Sequence, residues 1–203
     1  MSFKLFGDDV TEFQRLLKSA GLLKKKIDGT WGPDTDQAAT AFENFYQAIK
    51  ASDGAFDARS EACIVTLNPK AQTLARACLK TIRAGGIDAR IISGTRSYQE
   101  QDKLFRQGRF GNPGPIVTNA RGGQSNHNFG IAWDIGIFDA NGKYLGNSPL
   151  YARAGQIAMS AGIANFEWGD NWKTFKDQPH YQFATNLSIS QIRAKFEAGK
   201  PII

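Results

Sequence analysis

The chain has 203 residues, 41% of them apolar and 22% charged, with 14 Phe and 4 Trp. That excludes a disordered or collagen-like polymer and leaves room for one large domain, or one ordinary domain with a small companion. Its 25 Lys and Arg exceed its 19 Asp and Glu for a net charge of +6, but unevenly: 8 basic against 10 acidic residues through Leu67, and 17 against 9 from Asn68 onward. Excess positive charge attracts polyanions, yet the basic part holds no dense Arg/Lys run with interleaved aromatics, which argues against nucleic acid as a partner. The longest stretch without Asp, Glu, Lys or Arg runs 15 residues, 178–192, and is rich in Gln, Ser, Thr and Asn. A membrane span is not expected from it, since spanning takes roughly 20 apolar residues. Residues 1–9 reach Asp8 and Asp9 before the apolar core of a secretory signal could form, so the expectation is synthesis in a host cytosol without a signal peptide.

In chain order, Val10, Phe13, Leu16 and Leu17 recur at helical spacing, and Gly21 ends the run. Asp28-Gly29 is a turn signal, and Asp34 or Thr35 is placed to cap a helix with Ala38, Ala41, Phe42, Phe45 and Ile49 on its apolar face. The order Asp-Gly-x-aromatic repeats 25 residues later at Asp53-Gly54-Ala55-Phe56, which predicts a second turn-into-helix entry. Pro69 opens the next helix, with Leu74, Cys78, Leu79 and Ile82 on one face and Gly85-Gly86 at its end. A short strand, Ala89–Gly94, and a helix from about Ser97 to Gln107 follow, then a long glycine-bearing loop through Asn126. Its glycines fit neither the dinucleotide nor the P-loop spacing. Cys63 and Cys78, 15 residues apart in apolar surroundings, read as buried thiols rather than as a metal pair or a nucleophile.

The chain has two histidines, His127 and His180. From Ile131 to Ile137 the residues alternate, so that Asp134 shares a strand face with Ala132 and Gly136, neighbours small enough to leave its carboxylate approachable. In Asp177-Gln178-Pro179-His180-Tyr181-Gln182-Phe183, His180 and Gln182 share one face and Tyr181 and Phe183 the other. Two imidazoles and one carboxylate suffice for a catalytic zinc with one position left to water, whereas a structural zinc takes four protein ligands. Asp177, three residues before His180, is a candidate base for that water, and Glu167 is its rival. On residue types alone, a polar His–Asp pair and an Asp177 that caps the turn before Pro179 stay open beside the metal reading.

Two resemblances sharpen these readings. Phe13 to Leu17, Gly21-Leu22, Asp28-Gly29-Thr30-Trp31-Gly32-Pro33-Asp34-Thr35 and the Ala38–Phe42 helix resemble a peptidoglycan-binding domain, although Glu43 follows Phe42 where that family usually has Gln. The resemblance implies Asp28, Gly29, Trp31, Gly32 and Thr35 as wall-binding residues. Ser125-x-His127-x-x-Gly130-x-Ala132-x-Asp134 matches the signature of the zinc D-alanyl-D-alanine carboxypeptidase and L-alanyl-D-glutamate endopeptidase family, and the Ser93–Gln101 and Phe166–Gly169 segments agree with it. This second resemblance implies His127, Asp134 and His180 as zinc ligands, Asp177 as the catalytic carboxylate, and Arg96 as a cation near the scissile carbonyl or a substrate carboxylate. Arg96, Ser125 and Trp168 are the candidate substrate-binding residues, with Ser125 orienting the loop rather than attacking.

The expected protein is α+β: a small N-terminal helical bundle (1–67) that binds peptidoglycan, then an α+β zinc peptidase domain (68–203) with a central antiparallel sheet. The expected function is that of a monomeric phage endolysin, a bacteriolytic enzyme cutting the bond between L-Ala and D-Glu in the bacterial peptidoglycan stem. Asp rather than Glu three residues before His180 favours that bond. The alternatives are a D-alanyl-D-alanine carboxypeptidase and a non-catalytic wall-binding module.

Overall fold

In the computed structural model, residues 9–203 are described; residues 1–8, on which the reading of the N-terminus rests, lie outside them. The helices are α1 (Val10–Ser19), α2 (Pro33–Asp53), α3 (Ala58–Ile64), α4 (Pro69–Ala84), α5 (Tyr98–Arg106), α6 (Leu150–Ser160) and α7 (Ile189–Glu197). The strands are β1 (Ala89–Ser93), β2 (Ala132–Ile137), β3 (Phe166–Trp168) and β4 (His180–Phe183). This is the expected α+β architecture with an antiparallel sheet. The chain gathers into two compact units, neither contiguous in sequence: one draws on the chain through Asn44, Thr95–Gly130 and Asn186–Ile202, the other on Phe45–Gly94 and Ile131–Thr185.

In the first unit, Asp9 caps α1 by accepting from the Glu12 N–H (3.0 Å), and the helix buries Phe13, Leu16 and Leu17. Phe13 meets Phe42 of α2 edge-on at 6.2 Å and stacks on Trp31 at 5.8 Å. α2 starts at Pro33, earlier than a cap at Asp34 or Thr35 would have it, because proline's fixed φ and missing N–H suit the first helical position. Ser97 and Glu100 form a reciprocal capping box at the start of α5. Both Glu12 carboxylate oxygens lie 3.1 Å from the Tyr98 N–H at that same helix start. Phe129 packs between Tyr98 (6.4 Å) and Phe196 of α7 (5.3 Å).

The second unit is built on the sheet, in the order β1-β2-β4-β3, every pairing antiparallel. Trp133 lies opposite Tyr181, and Tyr181 opposite Trp168; these three aromatics share the face that packs on α4 and α6, with Trp133 and Tyr181 stacked at 6.4 Å. One residue along, Asp134 lies opposite His180, while Gln182 lies opposite Glu167. Alternation therefore puts Asp134, His180, Gln182 and Glu167 together on the other face. Asp134 is the half-buried residue of an otherwise buried β2. The room expected beside it at Gly136 is filled, since a Cβ there would meet Ile92 and Tyr144 at 3.0 Å. Cys78 is buried and Cys63 half-buried, both unpaired; burial pushes the Cys63 thiol up to about 11 and Cys78 higher still, so neither is a thiolate at neutral pH.

Candidate metal centre

His127 sits in a short 3-10 turn, Asn126–Phe129, closed by Gly130 in the left-handed region (φ 69°) that a side chain disfavours. The turn is held from both sides. The His127 carbonyl accepts from the Arg96 N–H at 3.1 Å, and the fully buried Asn128 amide donates to the Arg96 carbonyl (2.9 Å) and the Ser97 carbonyl (3.2 Å). Asn128 Oδ1 in turn accepts from the Gly123 and Ser125 N–H groups at 3.0 and 3.3 Å. Asn128 thus sets the loop that the signature motif spells, although its position in the motif is a variable one.

Asp134 and His180 come 46 residues apart in sequence and face one another across β2 and β4, with Oδ1 and Nδ1 at 3.2 Å. Each of His127, Asp134 and His180 offers one ligating atom, and these atoms lie within 4.8 Å of one another. The two imidazoles are buried and the carboxylate half-buried. In a tetrahedral zinc site with bonds of about 2.0–2.1 Å, ligand atoms stand about 3.3 Å apart. The Asp134–His180 separation matches that edge, and two nitrogens with one oxygen are donors of the right type, so the residues fit a catalytic divalent ion. Burial opposes charge on the His180 ring, but the bond to Asp134 and that carboxylate's charge outweigh it and hold the imidazole pKa above its usual value.

Asp177 is half-buried, and its carbonyl accepts from the His180 N–H at 3.2 Å. Its own N–H donates to the Gly169 carbonyl at 3.3 Å, and Gly169 has to be glycine, because a Cβ there would lie 2.4 Å from the Asp177 carbonyl oxygen. The turn thereby ties Asp177 to the start of β4. Glu167 is held differently: Oε1 accepts from the Trp172 indole N–H at 2.6 Å and Oε2 from the Gln182 amide at 2.8 Å. Arg96 is half-buried, with one guanidinium nitrogen 3.0 Å from Gln101 Oε1; Gln101 Nε2 is bonded to the Ala120 carbonyl. Ser125 is half-buried at the head of the His127 turn. Trp168 lies on the packed face of the sheet, its ring against Gly155 and its indole N–H on the Gln178 carbonyl at 2.8 Å. The tryptophan near the histidine is instead Trp172, 5.0 Å from His180 ring to ring.

In the N-terminal segment, the Asp-Gly-Thr turn closes on one side chain that sequence reasoning passed over. Gln14 Oε1 accepts from the Asp28 and Gly29 N–H groups at 2.9 Å, and its Nε2 lies 3.0 Å from Asp28 Oδ1, the Thr30 carbonyl and Thr35 Oγ1. That bond and the one from the Thr30 N–H hold the Asp28 carboxyl below its usual range. Trp31, stacked on Phe13, is 41% exposed. Lys25, Lys26, Asp28, Asp34 and Thr35 line a small open pocket beside it. Among the described residues, no helix is long and apolar enough to cross a membrane.

Two segments of the chain match known families. Residues 118–183 match the family described as D-alanyl-D-alanine carboxypeptidase, and residues 6–59 the family described as peptidoglycan binding domain. Each match covers less than half of the chain. The peptidoglycan L-alanyl-D-glutamate endopeptidase CwlK of Bacillus subtilis (strain 168) is 42% identical over 107 residues, which are 50% of this chain and 64% of that protein; the chain therefore spans under two thirds of this relative's length. The crystal structure of the Serratia marcescens L-Ala D-Glu endopeptidase ChiX is similar with a TM-score of 0.50 at 27% identity, covering 64% of this chain and 89% of that one.

Proposed function

We propose that this chain, homologous to two L-alanyl-D-glutamate endopeptidases, hydrolyses the L-Ala–D-Glu bond of the peptidoglycan stem with zinc held by His127, Asp134 and His180. The convergence of those three ligating atoms within 4.8 Å carries the reading. A divalent cation bound there supplies a Lewis acid that polarises the scissile carbonyl and makes water acidic enough to attack near neutral pH. Asp177 takes the proton of the attacking water on its carboxylate and returns it to the leaving amine. Glu167, the rival, accepts from Trp172 and Gln182 and is placed to hold those two side chains. Arg96, steadied by Gln101, carries the charge that develops on the carbonyl oxygen or pairs with a D-Glu carboxylate. Ser125 shapes the substrate side of the His127 loop. The part within residues 1–67 holds the enzyme on the wall through the face around Trp31, and the whole acts as a monomeric, bacteriolytic endolysin.

The family description and the relatives' names point to different bonds: D-alanyl-D-alanine for the 66 residues of the family match, L-alanyl-D-glutamate for the longer matches to CwlK and ChiX. The longer matches favour the endopeptidase. Digestion of purified sacculi with and without chelator, with the new termini identified by mass, tests this directly. A fresh D-Glu amine that vanishes with chelator and returns with added zinc is expected. Released D-Ala would make the protein a carboxypeptidase, and no product would leave a wall-binding module. Asp177→Asn is expected to keep its zinc while turnover falls about 10²–10⁴-fold; a variant that keeps its rate would move the base elsewhere.

A further inference from the structure

The hydrogen bonds on the Asp134–His180 face of the sheet form a directed chain. Trp172 Nε1 can only donate, so at 2.6 Å from Glu167 Oε1 it marks that oxygen as an acceptor. Glu167 Oε2 stands 2.8 Å from one end of the Gln182 amide, and a carboxylate accepts only, so that end is the NH₂ group. The other end, Oε1, must then face His180, and it lies 3.0 Å from Nε2. An amide oxygen cannot donate. His180 therefore carries its proton on Nε2, and in the neutral ring the lone pair is left on Nδ1, aimed at Asp134 Oδ1 across 3.2 Å. In that neutral ring two acceptors face one another, an arrangement that a proton or a metal cation between them relieves.

We propose that Gln182 and Glu167 are positioning residues: together they hold His180 in the Nε2–H tautomer and so present the Nδ1 lone pair to the metal. The idea rests on the metal reading above and assigns neither residue to the reacting atoms. Glu167 acts at one remove, since its carboxylate decides which way the Gln182 amide points. Trp172 locks the carboxylate and packs on the His180 ring at 5.0 Å. Partners of this outer kind set the orientation and basicity of a metal-bound imidazole.

Competition between the protein and a chromophoric chelator for zinc alone, with no substrate present, tests it. Q182L is expected to bind zinc roughly 10- to 100-fold more weakly than the parent chain. In the metal-free protein, at a pH high enough to leave the ring neutral, ring ¹⁵N shifts of His180 are expected to report the Nε2–H form in the parent and a mixture of tautomers in Q182L. The double variant E167Q/Q182E lets every donor face an acceptor again: Trp172 donates to the new amide oxygen, the new amide NH₂ to the new carboxylate, and that carboxylate accepts from His180. It should recover the Nε2–H tautomer and most of the lost affinity. Parent-like affinity in Q182L, or a double variant no better than Q182L, would overturn the inference while leaving the metal reading in place. Should Q182L not fold, the double variant alone decides, by binding zinc within a few-fold of the parent with the Nε2–H tautomer or failing to. A parent chain that binds no zinc would overturn both.

Discussion

Two glutamines organise two polar clusters in this chain, and the clusters differ in what they leave over. Gln14 draws a turn shut: its oxygen takes two backbone N–H groups, and its amide meets acceptors on Asp28, Thr30 and Thr35. The Gln14 amide and the two N–H groups it accepts from are satisfied within the turn, so this glutamine holds the turn in shape. Gln182 belongs to a chain of donors and acceptors that ends with a carboxylate and an imidazole lone pair 3.2 Å apart. A polar cluster whose donors and acceptors match holds a turn, while one in which a carboxylate faces an imidazole nitrogen can take up a cation there, a proton or a metal ion.

The sharpest way to break the comparison is to complete the second cluster. Asp134→Asn supplies an N–H for His180 Nδ1 and removes a ligand charge. Zinc binding and wall hydrolysis are expected to fall to background, while the metal-free variant melts no lower than the metal-free parent; calorimetry with a metal titration reads both. A variant that still binds zinc tightly would mean that the carboxylate is not a ligand. Opening the first cluster should do the reverse. Gln14→Leu takes the partner from the buried Thr35 hydroxyl and from the part-buried N–H groups of Asp28 and Gly29, and is expected to cost about 1–3 kcal/mol of stability by urea denaturation, with zinc affinity unchanged.

The smallest expected effect concerns a third arrangement, in which a carboxylate has acceptors in excess and takes up a proton. Burial pushes the Glu12 carboxyl up from 4.5 to about 7 against the bond from the Tyr98 N–H. An acid whose pKa rises on folding contributes stability that is full below 4.5 and is lost as pH rises through about 7. Glu12→Gln keeps an acceptor for Tyr98 and removes the titration, so its melting temperature should fall less than the parent's between pH 5 and pH 8. Parallel curves for the two chains would show that Glu12 ionises freely in the fold.

Much of the site is written in short-range pattern. Alternation around Asp134 and around His180 assigns each to a strand face, and the spacing of Ser125, His127, Gly130, Ala132 and Asp134 is dense enough to mark a ligand loop. The glycines and caps at Asp28-Gly29, Ser97 and Pro69 likewise announce their own turns and helix starts. The elements that escaped have weaker local signals: α6 and α7 lie in stretches for which no element is predicted, and β3, three residues long, lies in one read only for its chemistry. Gln182 was visible on the His180 face, yet nothing nearby in sequence says that Glu167 would stand opposite it.

Residue type and spacing, which act over a few positions, were enough to predict the turn and the helix entries, because backbone sterics and capping are local, and with the family resemblance they named the candidate ligands. Which strand lies beside which, in what register, and hence that Asp134 meets His180 and that Gln182 turns its oxygen inward, came from contacts between stretches tens of residues apart. Those pairings are chosen by burial of Trp133, Tyr181 and Trp168 on the far face, a cooperative packing energy with no signature in any short segment.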